Sequence, residues 1–155
     1  MNTGPALVSI LRQGDTLVAS VHTALDDSQM VRFQHDLVDQ IGTSRARGVI
    51  IDVAALDVLD SFGSRTIRDI SEMTRLRGAL TVIVGIQPDV ALALVRLGMG
   101  SGTLRTALDL EEGLILLDGH RTPPTSTHDV GSEPPVRGSP VTGGVIDGAY
   151  GALQR

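Results

Sequence analysis

The stretch Gly48-Val49-Ile50-Ile51-Asp52-Val53-Ala54-Ala55-Leu56-Asp57-Val58-Leu59-Asp60-Ser61-Phe62-Gly63-Ser64-Arg65 decides the fold. Its first six residues are apolar without alternation, as in a central strand covered on both faces or on its crossover side. Its last five open an amphipathic helix. Ile67, Ile70 and Met73 or Thr74 recur on one face with Leu76 beside them, Arg65, Arg68, Asp69, Glu72 and Arg75 take the other, and Gly78 stops the run. A strand feeding a helix through a short loop is half of a βαβ unit, and it places the Ser61 hydroxyl at the mouth of the helix. There the free backbone N–H groups and the positive helix end accept either a capping oxygen or an added phosphate. As a cap, Ser61 contributes about 1 kcal/mol. As a phosphoacceptor it gains about −1.5 to −2 charges beside Asp57 and Asp60.

Upstream, residues 6–11 and 16–21 are β-rich runs joined through Gln13-Gly14-Asp15, a hairpin signal. The period then changes: Met30, Phe33, Leu37 and Ile41 lie on one face of a helix that Asp26, Asp27 or Ser28 caps and Gly42 ends. Downstream, residues 80–86 form another continuous apolar strand. Gln87-Pro88-Asp89 starts a third helix, with Pro near the first position and an acid in the first turn. A short strand near residues 104–107 and a fourth helix follow, the latter opened by the D-x-x-E box Asp109-Leu110-Glu111-Glu112. The order β-β-α-β-α-β-α-β-α predicts an α/β fold, one mixed sheet with about four helices packed mainly on one side.

The third helix is apolar almost all round. In so small a domain an edge helix of that kind is either enclosed or shared with another subunit. Val90, Leu92, Leu94 and Leu97 are the candidate contact residues. The domain is expected to span residues 1–118. From 119 to 155, Pro123-Pro124, Pro134-Pro135, Gly143-Gly144 and many Ser and Thr replace the periodicity, which predicts a disordered tail. Residues 145–153 regain some apolar character.

Composition removes whole classes of function. Cysteine is absent, which excludes disulfides, thiolate catalysis and Cys-based zinc sites. Lysine is absent as well, so a P-loop, a Schiff base and a receiver-type phospho-aspartate site lack their lysine. A net charge of −5 and an aromatic content of 2% give nucleic acid neither a basic field nor a stacking platform. His22, His35, His120 and His128 show no metal-ligand spacing, and Asp52, Asp57 and Asp60 lack the partners that phosphoryl transfer to Asp requires. Ser61 has no histidine near it in sequence. No catalytic residue, metal or cofactor is assigned. The start lacks a basic-then-apolar signal, and no apolar run approaches the roughly 20 residues of a membrane helix, so a soluble, cytoplasmic protein is expected.

Four segments carry a family likeness: Val49-Ile50-Ile51-Asp52-Val53, Asp60-Ser61-Phe62, Gly85-Ile86-Gln87-Pro88-Asp89-Val90-Ala91, and Thr106-Ala107-Leu108-Asp109-Leu110-Glu111-Glu112-Gly113-Leu114. With Leu25-Asp26-Asp27 at the first helix start, residues 6–118 resemble the STAS-domain family of anti-sigma-factor antagonists, nearest to its single-domain stressosome scaffolds of the RsbS type. The resemblance implies a scaffold rather than a catalyst. Such a protein assembles with a sensory STAS paralogue (RsbR-like) into a large hollow particle that holds a serine kinase (RsbT-like). Under stress the kinase phosphorylates the serine matching Ser61 and leaves, and a phosphatase resets the site. Asp57, Asp60, Phe62, Ser64 and Arg65 would surround the phosphosite and meet the kinase. Other outcomes for the fold are a lone antagonist that binds an anti-sigma kinase one-to-one, and a small-ligand module using the Asp52–Ser61 crevice. The long Pro/Gly tail departs from the family pattern.

Overall fold

In the computed structural model, which describes residues 6–100, 102 and 104–121, β1 (Val8–Gln13) turns through Gly14, at φ +63°, into β2 (Thr16–Val21). Three strand–helix repeats follow: α1 (Asp27–Ser44), β3 (Gly48–Asp52), α2 (Ser61–Leu76), β4 (Leu80–Val84), α3 (Pro88–Arg96) and β5 (Arg105–Ala107). The last element is α4 (Leu110–Arg121), which continues past residue 118. The tail expectation, the apolar run at 145–153 and His128 fall outside the described residues.

The sheet order is β1-β2-β3-β4-β5, antiparallel between β1 and β2 and parallel elsewhere. Because the parallel strands are added in sequence order, crossovers of one hand deliver α1, α2 and α3 to the same face. Side-chain alternation divides the core accordingly. Leu17, Ala19, Val49, Ile51 and Ile83 point to the three-helix face and meet Phe33, Leu37, Ile41, Ile67, Ile70, Val90 and Leu94. Val18, Ile50, Val82 and Val84 point the other way and meet α4 through Leu117 and Leu114. Gly113 lets α4 lie flat there, since a Cβ would come within 2.9 Å of Val84 Cγ1 and 3.3 Å of Ile50 Cδ1.

Local chemistry fixes the helix ends. Asp26 caps α1 through a reciprocal box: its carboxylate accepts from the Gln29 amide at 2.8 Å, and Gln29 Oε1 accepts from the Asp26 amide at 2.8 Å. The Gln29 amide and the Ser28 hydroxyl together hold the Asp26 carboxyl below its ordinary range. Helix α1 runs past Gly42, where it was expected to stop, and ends at Arg45 in the left-handed conformation. An added Cβ at Gly42 would meet only the flexible end of the Arg77 side chain, so the position is not held to glycine by packing against a fixed neighbour. In α2 the inner face is Ile67, Ile70 and Thr74, whose hydroxyl bonds that of Thr81 on β4, whereas Leu76 is 79% exposed. Two of the four α3 residues expected at a subunit contact, Val90 and Leu94, are buried in the domain's own core. Leu92, Val95 and Leu97 form the exposed face, because Val90 and Leu94 share one side of the helix at i, i+4 and the sheet claims that side.

Candidate phosphoacceptor site

The site lies at the carboxyl ends of β3 and β4, where open α/β folds gather their functional loops. The loop leaving β3 is tied down along its length. Val53 N donates to Val84 O at 3.1 Å, Ala54 N to Asp52 Oδ1 at 2.9 Å, and Leu56 N to Val53 O at 2.9 Å. Gln87 Nε2 reaches across from the start of α3 to Ala54 O at 3.0 Å. Gly85, at φ +74°, makes this approach possible: its ideal Cβ would stand 2.7 Å from Ala54 Cβ and 3.0 Å from Ala54 Cα.

This bracing delivers Asp60 in extended geometry (φ −79°, ψ 178°) as the N-cap of α2, its Oδ1 accepting from Gly63 N at 2.7 Å. The cap is therefore Asp60 rather than Ser61, which is the first helical residue and exposed. Asp and Ser cap equally well, so a one-residue choice between them is not legible from type alone. Asp57, Asp60 and Arg65 are exposed, and Phe62 is 38% exposed. Ser64 is not: at 0% exposure it faces inward with its hydroxyl unpartnered, so it is no contact for a partner protein. Thr66, 5% exposed, turns its hydroxyl back to Phe62 O at 2.9 Å. Sequence reasoning missed Val58, 73% exposed beside the site, and Gln87 as the loop's brace.

Beneath Asp60 opens a pocket of about 160 Å³, lined by Val21, Leu25, Phe33, Leu59 and Ile67 among others. Two of the carboxylates nearby are spent on the backbone, Asp52 on Ala54 N and Asp60 on Gly63 N. Among the described residues no group of three or more His, Asp or Glu could hold a metal ion. His22 meets the Ser9 hydroxyl at 2.9 Å, His35 pairs with Asp39 at 3.4 Å, and His120 lies 2.9 Å from Leu116 O, all away from Ser61 in the chain. No helix among the described residues is long and apolar enough to cross a membrane.

Fold and site together define a small α/β domain of one mixed sheet with an exposed serine at a helix mouth. The STAS domain model matches residues 8–112, and the chain belongs to the STAS-domain family. Among solved structures, a serine-to-glutamate variant of RsbS from Moorella thermoacetica is 34% identical at a TM-score of 0.67, covering 74% of this chain and 97% of that one. A chain of the stressosome, described as a signal integration and transduction hub, is 31% identical at a TM-score of 0.62, covering 74% and 100%. The RsbT co-antagonist protein RsbRA of Bacillus subtilis (strain 168) is 29% identical over 90 residues, 58% of this chain and 33% of the relative. This chain thus matches about a third of the length of that curated relative, and it is related to RsbS and the stressosome proteins.

Proposed function

We propose that this chain is a non-enzymatic stressosome scaffold of the RsbS type, with Ser61 as its phosphoacceptor. The division of labour at the start of α2 carries the reading. Asp60 caps the helix, which leaves the exposed Ser61 hydroxyl uncommitted at the first helical position. Ser64 and Thr66, the other hydroxyls of the first two turns, are buried. A kinase approaching this end therefore meets one serine.

The switch follows from charge. A phosphate on Ser61 gains the amides of Ser61 and Phe62, which have no intrahelical acceptor, and Arg65 one turn on, which forms no salt bridge among the described residues. The helix is held rather than unfolded. The partner instead meets a new dianion beside Asp57 and Asp60, and a loss of about 2.8 kcal/mol in complementarity lowers its affinity about a hundredfold. The partners are a serine kinase of the RsbT kind, held until Ser61 is phosphorylated, a sensory STAS paralogue of the RsbR kind, and a phosphatase that resets the site, all in the cytoplasm. The name of the relative RsbRA, an RsbT co-antagonist, supports the first two. A small-ligand site at Asp60 is disfavoured, because the pocket there, about 160 Å³, falls below the roughly 300–1,000 Å³ of ligand sites.

Phosphopeptide mapping after incubation of the full chain with the cognate kinase tests the assignment. Label at Ser61 is expected, and label confined to Ser64 or Thr66 overturns it. Native mass with the sensory paralogue distinguishes a large particle from the one-to-one complex of a lone antagonist.

A further inference from the structure

The two edges of the sheet are unlike. On one side β5 is three residues long and begins with Arg105. On the other, β1 runs for six residues in continuous one-to-one register with β2, with no proline and no bulge, and with its single charge, Arg12, near the hairpin. Natural edges of this length are blunted by charge, proline, bulges or a covering segment. Among the described residues β1 carries of these only the one charge, Arg12, at its hairpin end, and the stretch from Val8 to Leu11 has none.

The free edge has a definite register. His22 N donates to Leu7 O at 2.9 Å, and the alternation of an antiparallel ladder then turns the backbone groups of Ser9, Leu11 and Gln13 toward β2 and those of Val8, Ile10 and Arg12 outward. Beside this edge lies a groove of about 400 Å³ between β1 and α1, with Leu7, Val8, Ile10 and Phe33 as its apolar wall and Arg32 and Asp36 on the helix above. Arg32 and Asp36 are four residues apart, yet neither forms a salt bridge among the described residues.

We propose that this edge and groove form a twofold contact with a second copy of the chain, β1 pairing antiparallel with β1 about Ile10. In that register Ile10 faces its own counterpart and Val8 faces Arg12 of the second copy, so the outward backbone groups find donors and acceptors in both directions. A twofold axis also makes the two α1 helices antiparallel, which sets Arg32 of each copy toward Asp36 of the other. The pair of opposite charges is thus self-complementary, as an isologous interface requires. The contact is separate from the Ser61 end and from the exposed face of α3. A twofold contact alone stops at a dimer, and a closed particle needs a second kind of contact as well.

The test is sedimentation velocity of the full chain over a range of concentrations, with circular dichroism to verify folding. Ile10→Pro removes an outward N–H that β2 does not use, so it should lower self-association while leaving the fold intact. Arg32→Asp and Asp36→Arg should each weaken self-association about tenfold by opposing like charges, and the double exchange should restore it. A wild type that is monomeric at every concentration, or singles that associate as the wild type does, would overturn the proposal. So would a double exchange no better than the singles. Should Ile10→Pro fail to fold, the charge exchange decides alone. Binding of a paralogue by a chain that does not self-associate would assign the edge to a different occupant and likewise refute a second copy.

Discussion

Asp60 Oδ1 accepts the amide hydrogen of Gly63 at 2.7 Å, and this bond relieves the neighbouring Ser61 of any capping role at the start of α2. Had Ser61 been the cap, its phosphorylation would have removed the cap it supplied. With Asp60 in that position, Ser61 can change charge while the helix start keeps its partner.

The first consequence concerns stability. Asp60→Ala should lower the unfolding free energy by about 1 kcal/mol, the usual worth of an N-cap. Ser61→Ala, at an exposed first helical position, should stay within about 0.5 kcal/mol of the wild type. Urea midpoints at constant m-value measure both. The reverse order would remove Asp60 from its capping role.

A second prediction concerns the kinase. Ser61→Ala should retain it in a pull-down after incubation with ATP, whereas the wild type lets it go. Ser61→Asp should release it in part, because an aspartate has one charge and fewer acceptor oxygens than a phosphate. An Ala variant that binds no better than the phosphorylated wild type would contradict the switch.

Much of this site was legible before any coordinates. The unbroken apolar run at Val49-Ile50-Ile51 reads as a central strand covered on both faces or on its crossover side, and β3 is the first of these, its residues alternating between the two cores. The Gly-Ile-Gln-Pro segment marked the start of α3. What the pattern could not convey was the task of individual side chains. Gln87 reads as an ordinary residue before Pro88, yet its amide spans to Ala54 O across 33 residues of chain. Likewise Val90 and Leu92 are both apolar and two apart, and only the position of the sheet decides that one is 1% and the other 48% exposed.

Gly85 offers a test of the bracing. An alanine there must adopt positive φ and also push its Cβ against the Ala54 backbone, so Gly85→Ala should cost about 2 kcal/mol or more. Gly14→Ala, at φ +63° with nothing within 4 Å of its Cβ, isolates the conformational part at about 1 kcal/mol. Equal losses at the two positions would show that the approach to Ala54 carries no energy of its own.

Acid should loosen the start of α1. The folded state holds the Asp26 carboxyl below its ordinary value of 3.8, so the cap's contribution is fully present above that value and is lost as pH falls through the lowered one. Stability measured from about pH 6 to about pH 3 should therefore decline less in Asp26→Asn than in the wild type. Parallel curves would remove Asp26 from the acid response.

The last prediction separates the two sides of α3. Val90, buried at 1% exposure, belongs to the domain's own core, and Val90→Glu should unfold it by placing an unpaired carboxylate in an apolar interior. Leu92→Glu instead places its charge on the face shared with Val95, where 48% exposure leaves the side chain free for a neighbouring subunit. It should keep the circular dichroism of the wild type and reduce the size of the particle formed with the sensory paralogue. Truncation should leave that size unchanged only if the cut spares Arg121, which pairs with both Asp15 and Asp118 and so fastens the end of α4 to the β1–β2 hairpin. A cut after Pro123 spares it, whereas a cut after Asp118 removes it. Light scattering decides between these outcomes: particles of wild-type size in Leu92→Glu would exclude α3 from the assembly, and particles lost on truncation after Pro123 would assign the contact to residues 124–155.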